Sequence, residues 1–435
     1  MKNLFKKILE LKLRFFTKAI LAKYQPKVIA VTGSVGKTST VEAIYSVLAY
    51  NFNTRKSFKN YNNEIGIPLT IIGLESGGKS IIRWLAVFIR ALSLLIHFDK
   101  NYPKILILEM AADHPGDIQY LINFVPVDIG VVTAIAPVHL EFFKTAENIA
   151  EEKSKLIKFL SVQGTAVLNY DDELVWAMKE KTKAKILSFG LQNKADFAAS
   201  EINISHNLNF QDITRLEGIS FKVNDQGKTQ DIFLPKVLGQ HLIYPALVAI
   251  VVGAIFNLSL ETIAKNLKKF QPPAGRMRLI KGIKNTLLID DTYNSSPLAV
   301  KKALYQLNQI NLPKSGKKYA VLGDMLELGS YTELAHQEIG EAIVEYGVNF
   351  LITVGEMSRD ITRGAVAKGF AKADCFHFKN SVEAGKFLQD RINEGDLILI
   401  KGSQGMRMER AVKEIMAEPD LAADLLVRQD ESWKR

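Results

Sequence analysis

The stretch VIAVTGSVGKTST, Val28 to Thr40, constrains the fold more than any other part of the chain. An apolar run ends in a glycine turn, and Lys37-Thr38 then opens a helical pattern. Strand, tight turn and helix in that order make one arm of a parallel α/β sheet. The backbone N–H groups of such a turn converge on a space the size of a phosphate, and the positive end of the helix adds to the attraction. Gly33, Ser34, Val35, Gly36, Lys37, Thr38 and Ser39 are the phosphate-binding residues this predicts. Lys37 supplies a cation for the terminal phosphates, and the Thr38 hydroxyl supplies a ligand for Mg²⁺. The common pattern G-x-x-x-x-G-K-[ST] has a glycine where this chain has Val31, so the loop is a short one. A tight strand–helix turn carrying an incidental lysine is the alternative; the flanking strand and helix favour nucleotide.

The same alternation continues downstream. KILILEM, DIGVVTAI, GTAVLNYDD and AKILSFG read as buried strands, with amphipathic stretches such as GDIQYLINF and AENIAEEKSKLIKFL between them. Continuous apolar strands separated by helices predict a largely parallel sheet. From about Ala198 to Leu234 the pattern alternates, as in a small antiparallel addition. Two helical stretches follow, and QPPAG, Gln271 to Gly275, reads as a linker because consecutive prolines cannot continue a helix. A second α/β series then begins, with strands NTLLIDD, KYAVLGDM, NFLITVG and DLILIKGS. The predicted class is α/β: a basic amphipathic helix over 1–27, a central P-loop domain with a mostly parallel sheet over 28–272, and a Rossmann-like C-terminal α/β domain over 273–435.

A chain of 435 residues, 47% hydrophobic and 23% charged, has the composition of a globular protein. Its net charge of +10 suits an anionic partner without choosing among nucleotide, nucleic acid and lipid headgroup. The lone Cys375 excludes an internal disulfide and fits a reducing compartment. The most apolar segment, Ile81 to Phe98, is interrupted by Arg83 and Arg90, so no membrane-spanning helix is predicted.

Lys153 breaks a pattern. Ile149, Leu156, Ile157 and Leu160 share one helical face, and Lys153 sits on that stripe, one turn from both Ile149 and Ile157. A buried free ammonium is costly. Snorkelling to solvent is the ordinary resolution; a functional amine is the other. Glu109, closing KILILEM, stands where a parallel strand meets its ligand crevice, although a solvated loop acid reads the same way. His139, after DIGVVTAI, is undecided between ligand and packing residue.

The short loop TGSVGKTS, with NYNNEIGIPLT, LEMAADHPGDI, DIGVVTAIAPVHLEFF, AVLNYDD, GRM, IDDTYNSSP, VLGDMLELG and KGSQGMRME, resembles the Mur ligase family, and within it the MurF type. The resemblance runs from about Val28 to Met416. It implies a central ATPase domain, ATP and Mg²⁺ as cofactors, and cytoplasmic synthesis of peptidoglycan. ATP phosphorylates a substrate carboxylate to an acyl phosphate, and an amine then displaces phosphate. The implied substrates are UDP-MurNAc-tripeptide and D-Ala-D-Ala; nucleic acid is not among the implied partners. By resemblance Glu109 and His139 are Mg²⁺ ligands, and Lys153 is carbamylated, becoming an anion that helps organise the metal. Asn63 contacts phosphate or the acyl intermediate, Arg276 reaches ATP, and Asp291 contacts its ribose. Asp324, Glu327 and Ser403 fall to the dipeptide pocket. Three departures loosen this: Lys155 stands where an acid is usual, Ser295-Ser296 replace Ala-Asn, and Leu242 and Pro245 occupy two asparagine positions, one of which normally helps read adenine.

MurF-type enzymes usually carry an N-terminal domain that holds the UDP-linked sugar. Here about one helix's worth of residues precedes the loop. Leu4, Phe5, Ile8, Leu9, Phe16 and Ile20 fall at helical spacing, among seven basic residues from Lys2 to Lys23 and the single acid Glu10. This helix either lies on an anionic membrane surface, giving peripheral contact with the inner face of the membrane, or packs on the ATPase domain and covers its edge. The stretch Ile81 to Phe98 could pair with it or form a second membrane-facing surface. A lipid-linked precursor or a partner protein would then replace the missing holder. Two further readings remain: a Mur-like amide ligase with another acceptor, such as a folate or polyamide chain, and a non-catalytic nucleotide-binding partner in a wall-synthesis complex. NYNNEIGIP and VLGDMLELG argue against the first; Lys37, Glu109, His139 and Lys153 argue against the second.

Overall fold

The computed structural model describes residues 2–57, 61–136, 140–204, 218–225, 227–429 and 433. The chain opens with α1 (Lys2–Tyr24), β1 (Lys27–Thr32), α2 (Lys37–Leu48), β2 (Thr54–Lys56), α3 (Gly66–Ile72), α4 (Ile81–Ile96) and β3 (Ile105–Glu109). It continues through α5 (Asp117–Ile122), β4 (Ile129–Val132), α6 (Leu140–Phe143), α7 (Ala146–Lys158), β5 (Thr165–Asn169), α8 (Glu173–Trp176) and β6 (Lys185–Gly190). Strands β7 (Phe197–Ile204), β8 (Gly218–Asp225) and β9 (Lys228–Pro235) lead to α9 (Ile243–Ile255) and α10 (Leu260–Leu267). The second series holds β10 (Arg278–Lys281), β11 (Leu287–Asp291), α11 (Pro297–Gln309), β12 (Lys318–Gly323), α12 (Thr332–Glu345), β13 (Phe350–Val354) and α13 (Arg359–Ala367). It closes with β14 (Cys375–Phe378), α14 (Ser381–Arg391), β15 (Leu397–Lys401), α15 (Glu409–Ile415) and α16 (Ala422–Leu425).

The first sheet has nine strands in the order β2-β3-β1-β4-β5-β6-β7-β8-β9. From β2 to β7 the pairings are parallel. Strand β1 lies between β3 and β4, so the chain leaves it toward one side of the sheet and later returns on the other. That reversal opens a crevice beyond the C-terminal ends of the strands, where the loop after β1 stands. The second sheet, β10-β11-β15-β12-β13-β14, is parallel except for β10. Two compact units result: Met1–Ile202 with Ser220–Phe233 and His241–Phe270, and Asn203–Ile219 with Leu234–Gln240 and Gln271–Arg435.

Helix α1 belongs to the first unit. Leu9, Leu13, Thr17, Ile20 and Leu21 are buried in its core. Its C-terminal turn closes that of α4: Lys23 Nζ donates to the carbonyl oxygens of Leu94, Leu95 and His97, each at 2.9 Å. Those carbonyls have no partner within α4, and the ammonium satisfies them while meeting the negative end of the helix. Lys6 pairs with Glu64, and the Arg14 guanidinium lies over Tyr120 and Phe124. Packing on the domain is therefore what one face of α1 does; Ile8, Leu11 and Phe15 point outward. Leu4 and Phe5 have side chains outside the described set. Among the described residues no helix is long and apolar enough to cross a membrane.

Candidate active site

The loop after β1 is shaped by its glycines and by one threonine far along the chain. Gly33 has φ 144° and Gly36 φ 84°, both in the region that favours glycine. A Cβ on Gly33 would stand 2.0 Å from Thr133 Oγ1. Thr133, just past β4, donates to the Val35 carbonyl at 2.6 Å, and Ser34 N donates to Ala134 O at 2.7 Å. The loop is thereby stitched to the adjacent strand end before any ligand arrives. Lys37 folds back over it, with Nζ 2.9 Å from Gly33 O and 3.4 Å from Ser34 O. Val35 is half exposed at the tip and Ser39 is buried under the first turn of α2.

Register places the acid. β1 and β3 pair with Val31 opposite Glu109, so Glu109 ends its strand beside the loop. It is buried, and it accepts from Thr38 Oγ1 at 2.9 Å and from Asn62 Nδ2 at 3.1 Å. A hydroxyl and a carboxylate side by side are hard oxygen donors. Mg²⁺ usually takes one or two carboxylates and completes its shell with phosphate oxygens and water, so Thr38 and Glu109 fit the implied ion. Among the described residues no group of three His, Cys, Asp or Glu side chains is placed to hold a metal. His139 lies outside the described residues. Of the two asparagines, Asn62 reaches Glu109, whereas Asn63 Oδ1 accepts from Ile65 N and Gly66 N and closes the turn into α3.

Lys153 does not snorkel. It is 2% exposed and lines a cleft with Gly33, Ser34, Lys37, Asp113 and Ile149. Burial pushes its pKa down to about 7, and the nearby Lys37 charge adds to the effect against the opposing pull of Asp113, Glu152 and Asp117. A large share of the amine is thus neutral near pH 7. Lys155 instead pairs with the buried Glu152 at 2.6 Å, and Glu152 accepts from Gly116 N and Ile118 N, tying α7 to the start of α5.

In the second unit the Arg276 guanidinium lies 4.1 Å from the centroid of the Tyr293 ring. Asp291 accepts from Met277 N at 3.2 Å and from the buried Lys401 Nζ at 2.7 Å; Lys401 also donates to Asn294 O. Asp324 Oδ1 accepts from Ser358 N at 2.7 Å, and Ser403 Oγ accepts from Leu326 N at 2.9 Å, so both side chains fasten strand-end turns. Glu327 sits at φ 66°. Leu242 and Pro245 are buried apolar residues at the start of α9. Sequence reasoning passed over Asp113, Glu152, Thr133 and Lys401, and it placed Asn62 with Asn63 in the substrate-side loop while preferring Asn63 for the contact. Only Lys401 carries a signal, as a charge closing the apolar run DLILI.

A phosphate loop at the switch point of a parallel sheet, opening onto a hard-oxygen pair and a buried amine, places the first unit among P-loop nucleotide-dependent enzymes. The chain belongs to the Mur ligase family. Residues 31–82 and 89–253 match the Mur ligase middle domain, and 275–404 match the Mur ligase glutamate ligase domain. A UDP-N-acetylmuramoyl-tripeptide--D-alanyl-D-alanine ligase of Bacillus subtilis (strain 168) is 30% identical over 407 residues, 94% of this chain and 79% of that protein. The protein of the same name from Escherichia coli (strain K12) is 28% identical, over 89% of this chain and 76% of its own. Among solved structures, MurF from Acinetobacter baumannii superposes with a TM-score of 0.77 at 26% identity, covering 93% of this chain and 79% of that one. MurF ligase from Thermotoga maritima in complex with ADP gives 0.71 at 25%, covering 93% and 83%.

Proposed function

We propose that the chain is an ATP-dependent ligase of MurF type that adds D-alanyl-D-alanine to UDP-MurNAc-tripeptide in peptidoglycan synthesis. The observation that carries this reading is the convergence of Thr38, Glu109 and Lys153 on the short loop, within a chain whose relatives of that name match it over nine-tenths of its length. ATP with Mg²⁺ supplies the phosphoryl group that converts the peptide carboxylate to an acyl phosphate, which the dipeptide amine then displaces. The loop N–H groups and Lys37 hold phosphate charge. Thr38 and Glu109 hold the metal, with His139 as a further ligand. Asn62 orients Glu109, and Asn63 remains the proposed contact of the acyl intermediate.

Lys153 acts as a carbamate in this reading. Its neutral amine attacks CO₂, a C–N bond forms as one C=O π pair moves onto oxygen, one proton leaves to solvent, and the neutral amine becomes an anion facing Lys37. Arg276 and Asp291 are the proposed nucleotide contacts of the second unit, with the domains divided as 28–272 and 273–435. The acceptor is either the UDP-linked peptide or its lipid-linked counterpart, used on the cytoplasmic side of the membrane. Turnover assays with each, with and without D-Ala-D-Ala, separate the two. Pentapeptide formation with neither would remove the ligase reading.

A further inference from the structure

The layer formed by α1 and α4 is apolar on both of its sides. One side enters the core: Leu9, Leu13 and Ile20 from α1, Trp84, Val87, Ala91 and Leu94 from α4. The other side meets solvent. On α4 it carries Ile81, Ile82, Leu85, Ile89, Leu92 and Ile96, each from 50% to 82% exposed. On a helical wheel these six share one arc that holds no charge, while Arg83 and Arg90 fall away from it and Arg90 is engaged with Asp99 at 2.6 Å. On α1 the outward arc holds Ile8, Leu11 and Phe15. The two arcs are continuous. Phe16 packs on Phe88 with centroids 5.9 Å apart, and Lys12 Nζ lies 5.8 Å over the same Phe88 ring, so the helices meet along an edge between each one's buried and exposed arcs. An exposed face of nine large apolar side chains is well beyond the scattered apolar residues of an ordinary surface.

We propose that this face docks on a bilayer containing anionic lipid. Charge selects that occupant. Lys12 stands at the seam, and the exposed Lys7 and Lys18 line the far edge of the α1 arc. An aliphatic surface bordered by lysines sinks its side chains to the acyl boundary and leaves the ammonium groups among headgroup phosphates. A second copy fits less well, because a two-fold pairing through the same patch would bring the two sets of lysines together. The inference is independent of which acceptor the ligase uses.

Flotation of the full-length protein with large unilamellar vesicles tests this without turnover. The vesicles are phosphatidylcholine alone, or with on the order of 30% phosphatidylglycerol. The protein is expected to float with the anionic vesicles at low salt, to be released by high salt, and to stay largely soluble with the neutral ones. L85S/I89S/L92S should abolish flotation, and K7Q/K12Q/K18Q should weaken it by about fivefold per lysine at low salt. Both variants change exposed side chains and should keep the parent melting temperature and ATPase rate. Equal recovery in the soluble fraction with both vesicle types overturns the proposal. So does salt-independent binding to neutral lipid, or a dimer in solution that L85S/I89S/L92S dissociates while vesicles bind nothing.

Discussion

Thr38 Oγ1 lies 2.9 Å from Glu109 Oε2, and the two meet because β1 and β3 are neighbours with Val31 in register with Glu109. Neither residue is near the other in sequence. The pair leaves a hydroxyl oxygen and a carboxylate oxygen side by side at the mouth of the phosphate loop. Glu109→Gln keeps the shape and the hydrogen bond to Thr38 while removing the charge. It should lower kcat by about 100-fold or more and raise the Mg²⁺ concentration needed for half-maximal rate. Its melting temperature should stay near the parent's, and a Mg²⁺ titration at fixed ATP checks the effect.

Gly33→Ala should fail for two reasons at one position. Its φ of 144° is strained for any L side chain, and the new methyl would meet Thr133 Oγ1 at 2.0 Å. The expected cost is on the order of 1–3 kcal/mol. Because Thr133 also fixes the loop through Val35 O, nucleotide affinity should fall more than the melting temperature alone implies. Titration of ADP by calorimetry reads this directly.

Lys153 gives a pH dependence whose sign follows from its lowered pKa. The folded value is about 7 against 10.5 for the free side chain. Between those values the unfolded chain binds the extra proton, so this group's penalty shrinks and stability rises as pH climbs through the window. Lys153→Met should remove up to roughly 4 kcal/mol of that slope and be more stable than the parent at pH 6, while losing ligase activity. Denaturant melts of both proteins from pH 6 to 10 show it. Parent activity should also fall in CO₂-depleted buffer and return with bicarbonate.

Asp291, partly exposed, pairs with the buried Lys401 at 2.7 Å. Asp291→Asn removes the counter-charge of the Lys401 ammonium, which is 3% exposed and keeps only neutral acceptors such as Asn294 O, and should cost about 3 kcal/mol. Asp291→Asn with Lys401→Met should recover much of that loss. If activity does not recover along with stability, Asp291 acts on nucleotide as well as on Lys401.

The alternation of strands and helices was legible because parallel strands buried on both faces read as unbroken apolar runs, and the loop was legible because its glycines, Lys37 and Thr38 are contiguous. Lys153 was visible as a cation on an apolar stripe, though only packing shows that it stays inside. What escaped was non-local. Thr133 grips a loop about a hundred residues upstream, Asn62 rather than Asn63 turns to Glu109, and Lys401 meets Asp291 as its register partner on the adjacent strand. The outer face of α4 was legible only as one of two alternatives, a partner for α1 or a membrane-facing surface. Apolar residues on most of its circumference do not say which arc the fold buries, and packing buries Trp84, Val87, Ala91 and Leu94 while leaving Ile81, Leu85 and Ile89 outside.

The central claim is acyl-phosphate chemistry at the short loop, and one isotope measurement addresses it directly. UDP-MurNAc-tripeptide carrying ¹⁸O in the carboxylate that accepts the dipeptide is turned over with ATP, Mg²⁺ and D-Ala-D-Ala, and the released phosphate is analysed by mass. Activation through an acyl phosphate predicts one ¹⁸O atom in each phosphate, in step with pentapeptide formed. Unlabelled phosphate, or phosphate released without amide, would contradict the account.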